Sequence, residues 1–454
     1  MRDWFIKVKN ALRQVAAFIY RAMVQTKVFI TLRNFVFKHR YDSIHRHYPQ
    51  ILEEARKKVK GRSQISVAFY LWETSKWKAE SLYRLFEGDN RFDPYIVIVP
   101  FAGGLTRGQD YIKKMKDMYD YFTKSNHKVI LPYSEDMGKV LDRDSCPEIK
   151  ADIIFQMNCW HEYGPFTQFS YRQNLDTLQC YIPYAWMISN RHWEHFNRDF
   201  HNVMWKIFYE TPFHVDMAKK YAITKGRNAV ATGYPLLDVF FDKNYHAKDV
   251  WKIKDPRIKR IIWAPHAYIK EENRCSNFLY VCDYMLDLAK KYHDRIQIAF
   301  KPHPELKKKL DFGILGWNEK RRIKYYRQWE EMSNTMLCEG EYIDLFLTSD
   351  AIINDCGSFT AEYLCTYKPM LFLQANERVI AGWNECGKEI AKNIYLSKQG
   401  EKIEWFIESV VIKGNDYMKK QREEFVDTNL KPQNKYGASM AIYDYLKREL
   451  GLLD

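Results

Sequence analysis

The chain has 454 residues, of which 46% are hydrophobic, so it can form two or three folded domains and is not a disordered protein. Its 71 Lys and Arg against 57 Asp and Glu give a net charge of +14, which favours phosphate, nucleic acid or anionic lipid as a partner. The nine cysteines include no C-x-x-C pair, which indicates reduced thiols of an intracellular protein, and we predict no metal site and no cofactor. No stretch reaches the roughly 18 consecutive apolar residues that a bilayer requires.

The first forty residues form a basic amphipathic pattern. Winding residues 2–23 as a helix puts an apolar set on one side and a basic set on the other. The apolar set is Trp4, Phe5, Val8, Leu12, Val15, Ala16, Ile19 and Met23, and the basic set is Arg2, Lys7, Lys9, Arg13 and Arg21. Because Asp3 is the only acid before residue 41, we predict that residues 1–60 are a helical segment on an anionic membrane surface. The alternative is a helix packed on the protein's own surface or on another subunit.

Nucleic acid is the other partner that the positive charge would suit. The sequence contains no recognition-helix, zinc-finger or RNP-type motif that would bind it. We therefore expect no nucleic-acid partner.

Residues 61–245 alternate between apolar, β-branched runs and helical stretches. The strand candidates are QISVAFYLW, YIVIVPF, KVILPY, ADIIFQM, LQCYIPYAW and VMWKIFYE, and helical patterns such as WKAESLYRLFEG separate several of them. This alternation predicts a parallel sheet with helices on both faces. We predict that this range is an N-terminal Rossmann-like acceptor domain.

The alternation begins again after a polar join at residues 242–260. The second set of strands is IIWAPH, IQIAFKPHP, AIIND and PMLFLQ, with helical stretches between them. We predict that residues 246–454 are a C-terminal Rossmann-like nucleotide-donor domain with C-terminal helices. The last of these, SMAIYDYLKREL, is a candidate for a helix that crosses back to the first domain. Two doubly wound domains that face a cleft constitute the GT-B fold, an α/β architecture.

Polar residues follow three successive strands of the second half. They are His266 after the first strand, Lys301 and His303 after the second, and Asp355, Gly357 and Ser358 after the third. Because ligands bind beyond the carboxyl ends of parallel strands, all of them are predicted to face one cleft.

The segment NDCGSFTAE has the composition of a diphosphate site. Ser358 would begin a helix whose free N–H groups favour an anion, and Gly357 would let a phosphate approach closely. Glu362, one turn later, would accept hydrogen bonds from a ribose, and Phe359 is included among the substrate-binding residues. The alternative is that Ser358 is an ordinary N-cap and Glu362 a solvated acid of the first turn.

Two strand ends carry histidines that are candidate catalytic residues. His303 stands between two prolines in FKPHP, which restrict its direction and place it beside Lys301, a candidate ligand of the diphosphate. His266 ends WAPH, although such strand ends often hold a buried histidine. The nearby ELKKKL lysines are expected to form a solvated helix face. In ATGYPLLD, Gly233 supplies a tight turn and is a further binding candidate.

Taken in order, TGYPLLD, WAPH, KPHP and NDCGSFTAEYLCTYKP resemble the segments of the CDP-glycerol glycerophosphotransferase family, the teichoic-acid polymerases and their capsule relatives. The resemblance covers roughly residues 65–375. It implies that His303 lies at the donor phosphate, that Ser358 binds the diphosphate and that Glu362 takes the place of a nucleotide-binding Asp. It also implies that Asp355 orients the turn.

The chain departs from this family in its first half. Where the family carries an H-G-T-P-L-K loop with the proposed catalytic base, this chain has CYIPYAWMIS, which contains no histidine. His161 in NCWHEYGPF is our candidate for the base. An acid elsewhere in the first half, or His303 itself, is the alternative.

The resemblance implies a transferase at the inner face of the cell membrane. It would move glycerol phosphate or ribitol phosphate from a CDP-alditol, or from another nucleotide-activated donor, to a polymer or lipid-linked glycan, releasing CMP. The product would be a capsule, teichoic acid or related surface polymer. A GT-B glycosyltransferase that uses a nucleotide sugar is the first alternative, because one fold hosts both chemistries. A membrane-recruited scaffold with a degenerate nucleotide site is the second.

Overall fold

The computed structural model describes residues 48–100, 110–159, 166–270, 274–311 and 313–453. Two predictions lie outside these ranges: residues 1–47 of the predicted membrane segment, and the candidate base His161.

Fifteen strands are present within the described ranges. Those of the first half are β1 Ile65–Leu71, β2 Phe92–Ile98, β3 Val129–Ile130, β4 Tyr133–Ser134, β5 Lys139–Val140, β6 Ile153–Gln156, β7 Leu178–Tyr181, β8 Lys206–Tyr209 and β9 Ala229–Ala231. Those of the second half are β10 Lys259–Ala264, β11 Ile296–Phe300, β12 Thr335–Leu337, β13 Ala351–Asn354, β14 Met370–Gln374 and β15 Tyr395–Lys398.

Helices connect these strands in both halves. Those as far as the join are α1 Tyr48–Lys60, α2 Glu80–Glu87, α3 Asp110–Lys124, α4 His192–Phe196, α5 Asp199–Asn202, α6 Pro212–Tyr221 and α7 Asp238–Phe241. Those after it are α8 Phe278–Lys291, α9 Pro304–Leu310, α10 Glu319–Glu331, α11 Ile343–Thr348, α12 Gly357–Leu364, α13 Arg378–Ala381, α14 Glu385–Ala391, α15 Ile403–Trp405, α16 Lys419–Phe425 and α17 Ala438–Leu450. The chain also forms a 3-10 turn at Thr74–Lys76 and π-helical segments at Phe406–Ile412 and Val426–Leu430.

Two parallel sheets organise the molecule. The first has the strand order β3-β2-β1-β6-β7-β8-β9, and the second has the order β12-β11-β10-β13-β14-β15. We call each sheet with its covering helices the first unit and the second unit. In both sheets the order reverses beside the first strand, between β1 and β6 and between β10 and β13, which is the doubly wound arrangement. The predicted GT-B fold is confirmed.

Sequence periodicity explains these elements. Strand β11 is buried at every position, as expected of an inner strand covered on both faces. Helix α8 buries Phe278, Val281, Cys282 and Met285, which recur at helical spacing and pack on the second sheet. The predicted join at residues 242–260 runs between the two sheets and ends as β10 begins.

The chain returns to the first unit at its end. Helix α17 buries Ile442 and Leu446 in the core of the first sheet, and its first N–H groups are held from the first half. The Asp238 carboxylate accepts hydrogen bonds from the backbone N–H groups of Ala438 at 2.6 Å and Ser439 at 2.9 Å. Helix α17 therefore crosses back to the first unit, as the sequence suggested.

Helix α1 belongs to the first unit. Ala55 and Val59 are buried in the core of the first sheet, and the Arg56 guanidinium donates to the carbonyl of Glu449 in α17 at 2.7 Å. Residues 48–60, which the sequence groups with the basic amphipathic segment, thus form a packed helix. Across the described ranges, no helix combines the length and the apolar character that crossing a membrane requires.

Candidate functional site

Asp355 ties together the loops that follow two strands of the second unit, β10 and β13. The residue is 3% exposed, and its carboxylate accepts hydrogen bonds from the N–H groups of His266 at 2.5 Å and Asn277 at 2.7 Å. Burial raises the pKa of Asp355 to about 7, against the opposing effect of these backbone N–H groups. Asp355 therefore fixes the turn between β13 and α12 to the loop after β10.

His266 and His303, which we call the histidine pair, meet at the carboxyl ends of β10 and β11. Their ring centroids are 5.0 Å apart. Nδ1 of His303 accepts the Glu305 N–H at 3.1 Å, which caps helix α9, and Nδ1 of His266 accepts the Tyr268 N–H at 3.2 Å. A neutral imidazole whose Nδ1 accepts carries its proton on Nε2. Both rings therefore present an Nε2–H donor, and neither can take a proton at that atom.

The surroundings keep the histidine pair neutral. Burial, reinforced by Lys76 and Lys309, lowers the pKa of His303 to about 4. Burial, reinforced by His303 and Lys309, lowers the pKa of His266 to about 3. Lys309 also lies 4.1 Å from the Tyr268 ring centroid, so this lysine of ELKKKL faces the site and the expectation of a solvated face is wrong for it.

Lys301 is buried beside the pair. The side chain is 6% exposed, its ammonium donates to the Gly340 carbonyl at 2.7 Å, and it lies 5.7 Å from the Tyr342 ring centroid. Burial lowers the pKa of Lys301. The residue therefore holds the loop between β12 and α11 in place and brings a positive charge to the site.

Glu362 is an interior residue of α12. It is only 2% exposed, which excludes the solvated first-turn acid of the alternative interpretation. Its Oε2 accepts a hydrogen bond from the Tyr342 O–H at 2.5 Å. The Tyr342 oxygen in turn accepts a hydrogen bond from the Lys78 ammonium of the first unit at 3.4 Å. Burial raises the pKa of Glu362, and the nearby Lys78 and Lys76 oppose that rise.

Helix α12 presents its N-terminus at the same sheet edge. Its N-cap is Cys356, so Ser358 lies within the first turn and is not the cap. The Thr360 N–H bonds back to the Cys356 carbonyl at 3.0 Å, and the earlier N–H groups have no helical partner by geometry. Phe359 packs between the rings of Tyr342 and Phe346.

Gly357 permits a different close approach from the one we expected. A Cβ at this position would lie 2.9 Å from Cδ1 of Ile188, a first-unit residue. The space beside the missing Cβ of Gly357 is therefore occupied by the Ile188 side chain, and the glycine allows the two units to touch there.

Ile188 belongs to the segment CYIPYAWMIS, and this segment docks on the second unit. The Asn384 N–H donates to the Ile188 carbonyl and the Asn384 side chain donates to the Met187 carbonyl, both at 2.7 Å. Within the first unit, the Met187 N–H donates to Glu210 at 3.1 Å and His214 Nε2 donates to the Met187 carbonyl at 2.8 Å. The loop is therefore held from both sides.

Two lysines of the first unit follow the end of β1 and extend into the cleft. Lys78 is 9% exposed and contacts Tyr342, and Lys76 lies 5.1 Å from the Tyr184 ring centroid. Lys76 acts electrostatically on both His303 and Glu362. These lysines are the first-unit cations that approach the histidine pair and Glu362 most directly among the described residues.

Gly233 lies against the C-terminal segment. Its φ is +95°, and a Cβ would lie 2.8 Å from Pro432 and 3.0 Å from Ala438. The positive φ and these close contacts therefore account for a glycine at this position.

A cavity of about 570 Å³ opens between the two units. Trp77 and Lys78 line it from the first unit, and Cys338 and Glu341 line it from the second. Its size lies within the roughly 300–1,000 Å³ of small-molecule sites. The cavity and Glu362 thus have a common neighbour in Lys78, which reaches Tyr342 beside the carboxylate.

The sequence analysis missed Lys76, Lys78, Tyr342 and Ile188. The two lysines carry the signal that identified the histidines, since both follow the carboxyl end of a strand, and we had applied that rule only to the second half. Tyr342 and Ile188 acquire their positions from tertiary contacts that no local pattern reports.

Comparison with known proteins agrees with this geometry. Residues 158–379 match the family model described as CDP-Glycerol:Poly(glycerophosphate) glycerophosphotransferase. The wall teichoic acid polymerase TagF has a similar structure, with a TM-score of 0.55 at 12% identity over 93% of this chain and 98% of that chain. A UDP-N-acetylglucosamine 2-epimerase gives 0.52 at 13% identity over 87% and 98% of the two chains.

The S. aureus MnaA-UDP co-structure gives a TM-score of 0.50 at 15% identity over 86% of this chain and 98% of that chain. The TM-scores establish a common fold, and at these low identities the similarity shows the fold alone. No curated protein sequence matches the chain. The resemblance predicted from the four motifs is confirmed: residues 158–379 match the CDP-glycerol glycerophosphotransferase family model, and the chain is a transferase enzyme with the GT-B fold.

Proposed function

We propose that the protein transfers an alditol phosphate, glycerol phosphate or ribitol phosphate, from a CDP-activated donor to a polymer or lipid-linked glycan, and that it releases CMP. The surface polymer would be a teichoic acid, a capsule or a related chain. The observation that carries the proposal is the histidine pair, which offers two Nε2–H donors at the sheet edge where α12 begins.

An anionic diphosphate suits this edge. Two neutral N–H donors, the N-terminus of α12 and the Lys301 charge all favour phosphate oxygens. His303 would stabilise the charge on the transferring phosphate, and Ser358 with the N-terminus of α12 would bind the leaving oxygens. Preorganised donors of this kind act mainly by positioning and electrostatics.

The nucleoside would occupy the cavity of about 570 Å³ between the units. Glu362 would bind the ribose hydroxyls from the side of Tyr342, whose O–H already bonds to that carboxylate. Binding there would exchange or extend the existing hydrogen bond, so Tyr342 would move with the ligand.

A nucleotide-sugar glycosyltransferase is the second candidate. Its support is the structural similarity to proteins whose names include UDP or a UDP-sugar, because the same cleft geometry suits either donor. The released product distinguishes the two, since phosphate transfer releases CMP and sugar transfer releases a nucleoside diphosphate.

We expect CDP-glycerol or CDP-ribitol to raise the melting temperature of the purified protein, and UDP- and GDP-sugars to leave it unchanged. In Glu362→Gln the CDP-alditol should bind about 10- to 100-fold more weakly, because a charged hydrogen-bond acceptor of the ribose is lost. The matched control is Glu377→Gln, whose carboxylate is 87% exposed.

Calorimetric titration and assay of CMP release check this prediction. Stabilisation by a UDP- or GDP-sugar alone would replace phosphotransfer by sugar transfer. Equal donor affinity in the Glu362 and Glu377 variants would remove Glu362 from the nucleotide site.

We also propose that the protein binds the inner membrane surface through its basic amphipathic segment. The support is the sequence pattern of residues 2–40, which lie outside the described ranges. Full-length protein should bind vesicles that contain about one third anionic lipid and should not bind neutral vesicles. Deleting residues 1–40 should abolish binding to the anionic vesicles. Retention of the shortened protein on anionic vesicles, measured by flotation, would contradict the proposal.

A further inference from the structure

Among the described residues of the second unit, neither the histidine pair nor Asp355 can accept the acceptor's proton, and Glu362 is assigned to the ribose. Nε2 of both His266 and His303 already carries a hydrogen, because each Nδ1 accepts a backbone N–H. Asp355 uses its oxygens on two backbone N–H groups. A base for the reaction should therefore come from the first unit, where the acceptor would approach.

Lys76 is the first-unit group best placed for this role among the described residues. It ends the 3-10 turn after β1, which points it into the cleft at the carboxyl edge of the first sheet. It lies over the Tyr184 ring, which belongs to the segment CYIPYAWMIS. Across the cleft, its charge acts electrostatically on His303 and Glu362.

The second lysine of this segment has another role. Lys78 is 9% exposed, donates to the Tyr342 hydroxyl at 3.4 Å and lies 5.5 Å from the Tyr342 ring centroid. These contacts anchor the segment to the second unit. Lys76, by contrast, lies over the Tyr184 ring of its own unit, 5.1 Å from the ring centroid.

We propose that Lys76 is the general base of the reaction, an inference that rests on the proposed phosphotransfer. The acceptor oxygen forms a bond to the β-phosphorus of the donor, and the bond from that phosphorus to the bridging diphosphate oxygen breaks. The electron pair of the broken bond leaves with CMP. The hydroxyl proton passes to the neutral amine of Lys76, and the resulting ammonium later releases it to water.

The charges around Lys76 bear on its protonation. Glu73 on its own segment and Glu362 on α12 favour the ammonium, whereas Lys78 on its segment and Lys114 on α3 oppose it. His303, neutral at the working pH, also faces it. Burial is the largest influence and lowers the pKa of Lys76, which increases the fraction of free amine at neutral pH.

The test compares Lys76→Met, Lys76→Arg and Lys76→Ala in the full-length protein. We expect kcat to fall at least about 100-fold in all three, with the donor KM within about threefold of the native value. Arginine should not restore activity, because its guanidinium stays protonated. Added ethylamine should accelerate Lys76→Ala in proportion to its unprotonated fraction.

Lys116→Met is the matched control. Lys116 also lies over a tyrosine, 5.2 Å from the Tyr133 ring centroid, but it is 42% exposed and paired with Glu135. Its variant should keep native kcat.

Three results would overturn the inference while native protein still releases CMP. The first is substantial activity in Lys76→Arg, which would make the residue a positive charge and not a base. The second is absence of amine rescue. The third is loss of the acidic limb of the pH–rate profile in His161→Asn while Lys76→Met retains that limb. Native protein that releases no CMP from any CDP-alditol would instead contradict the proposed function. Donor titration of each variant shows whether a loss of rate reflects a loss of folding or binding.

Discussion

Replacing His303 by Asn should lower kcat about 100- to 1,000-fold, because it removes the Nε2–H that we propose donates to the transferring phosphate. Asn is chosen because it can still cap helix α9, as the His303 Nδ1 does for the Glu305 N–H. The fold should therefore survive, and the donor should still bind. The control is His293→Asn, an exposed residue just after α8. Equal rates in the two variants would exclude His303 from the chemistry.

The same variant tests the protonation of His303. Its pKa is about 4 in the folded protein, below the roughly 6.5 of an unfolded histidine. The unfolded state therefore binds more protons between these values, so the native protein loses stability as the pH falls from about 6.5 to about 4. The loss specific to His303 should be at most about 3 kcal/mol and absent from His303→Asn. Parallel acid-unfolding curves for the two proteins would contradict this.

Replacing Asp355 by Ala should lower the free energy of unfolding by about 2 to 6 kcal/mol. The substitution leaves the N–H groups of His266 and Asn277 buried without their acceptor, and each such group costs about 1–3 kcal/mol. The raised pKa of Asp355 shows that burying its charge is itself costly, which favours the lower part of this range. Activity should fall as well, because the loop that carries His266 is released. Urea unfolding followed by circular dichroism measures the change.

Asp350 provides the matched control at the opposite end of the same strand. Its carboxylate also accepts a backbone N–H, that of Arg260 at 2.8 Å, but its side chain is 39% exposed. Water can replace this bond, so Asp350→Ala should cost about 1 kcal/mol or less. Similar losses in the two variants would show that Asp355 is not a special link between the loops.

The fold could be predicted from sequence wherever strands are inner and continuous. Buried apolar runs such as β11 indicate inner strands of a parallel sheet, and their alternation with helices indicates the doubly wound arrangement. Edge strands were harder to predict. KVILPY yields only Val129–Ile130, because Pro132 cannot donate to a ladder, and the half-polar β15 was not recognised at all.

The candidate site was predictable to the extent that it depends on strand ends. His266, His303 and Asp355 do meet, since parallel strands bring their carboxyl ends to one edge. The choice of histidine tautomer and the occupation of the space at Gly357 were not predictable, because they depend on a backbone N–H two residues away and on a side chain 169 positions distant. Those details decide which residue can be the base.

The hydrogen bonds between Asp238 and the start of α17 have a consequence for the order in which the two units fold during synthesis. The first sheet precedes the second sheet in the sequence, yet the helix that covers part of its core follows both. The second sheet, complete by residue 398, lies entirely between them in the sequence. Synthesis therefore completes the second sheet before the first unit, whose core stays partly open to water until α17 has left the ribosome.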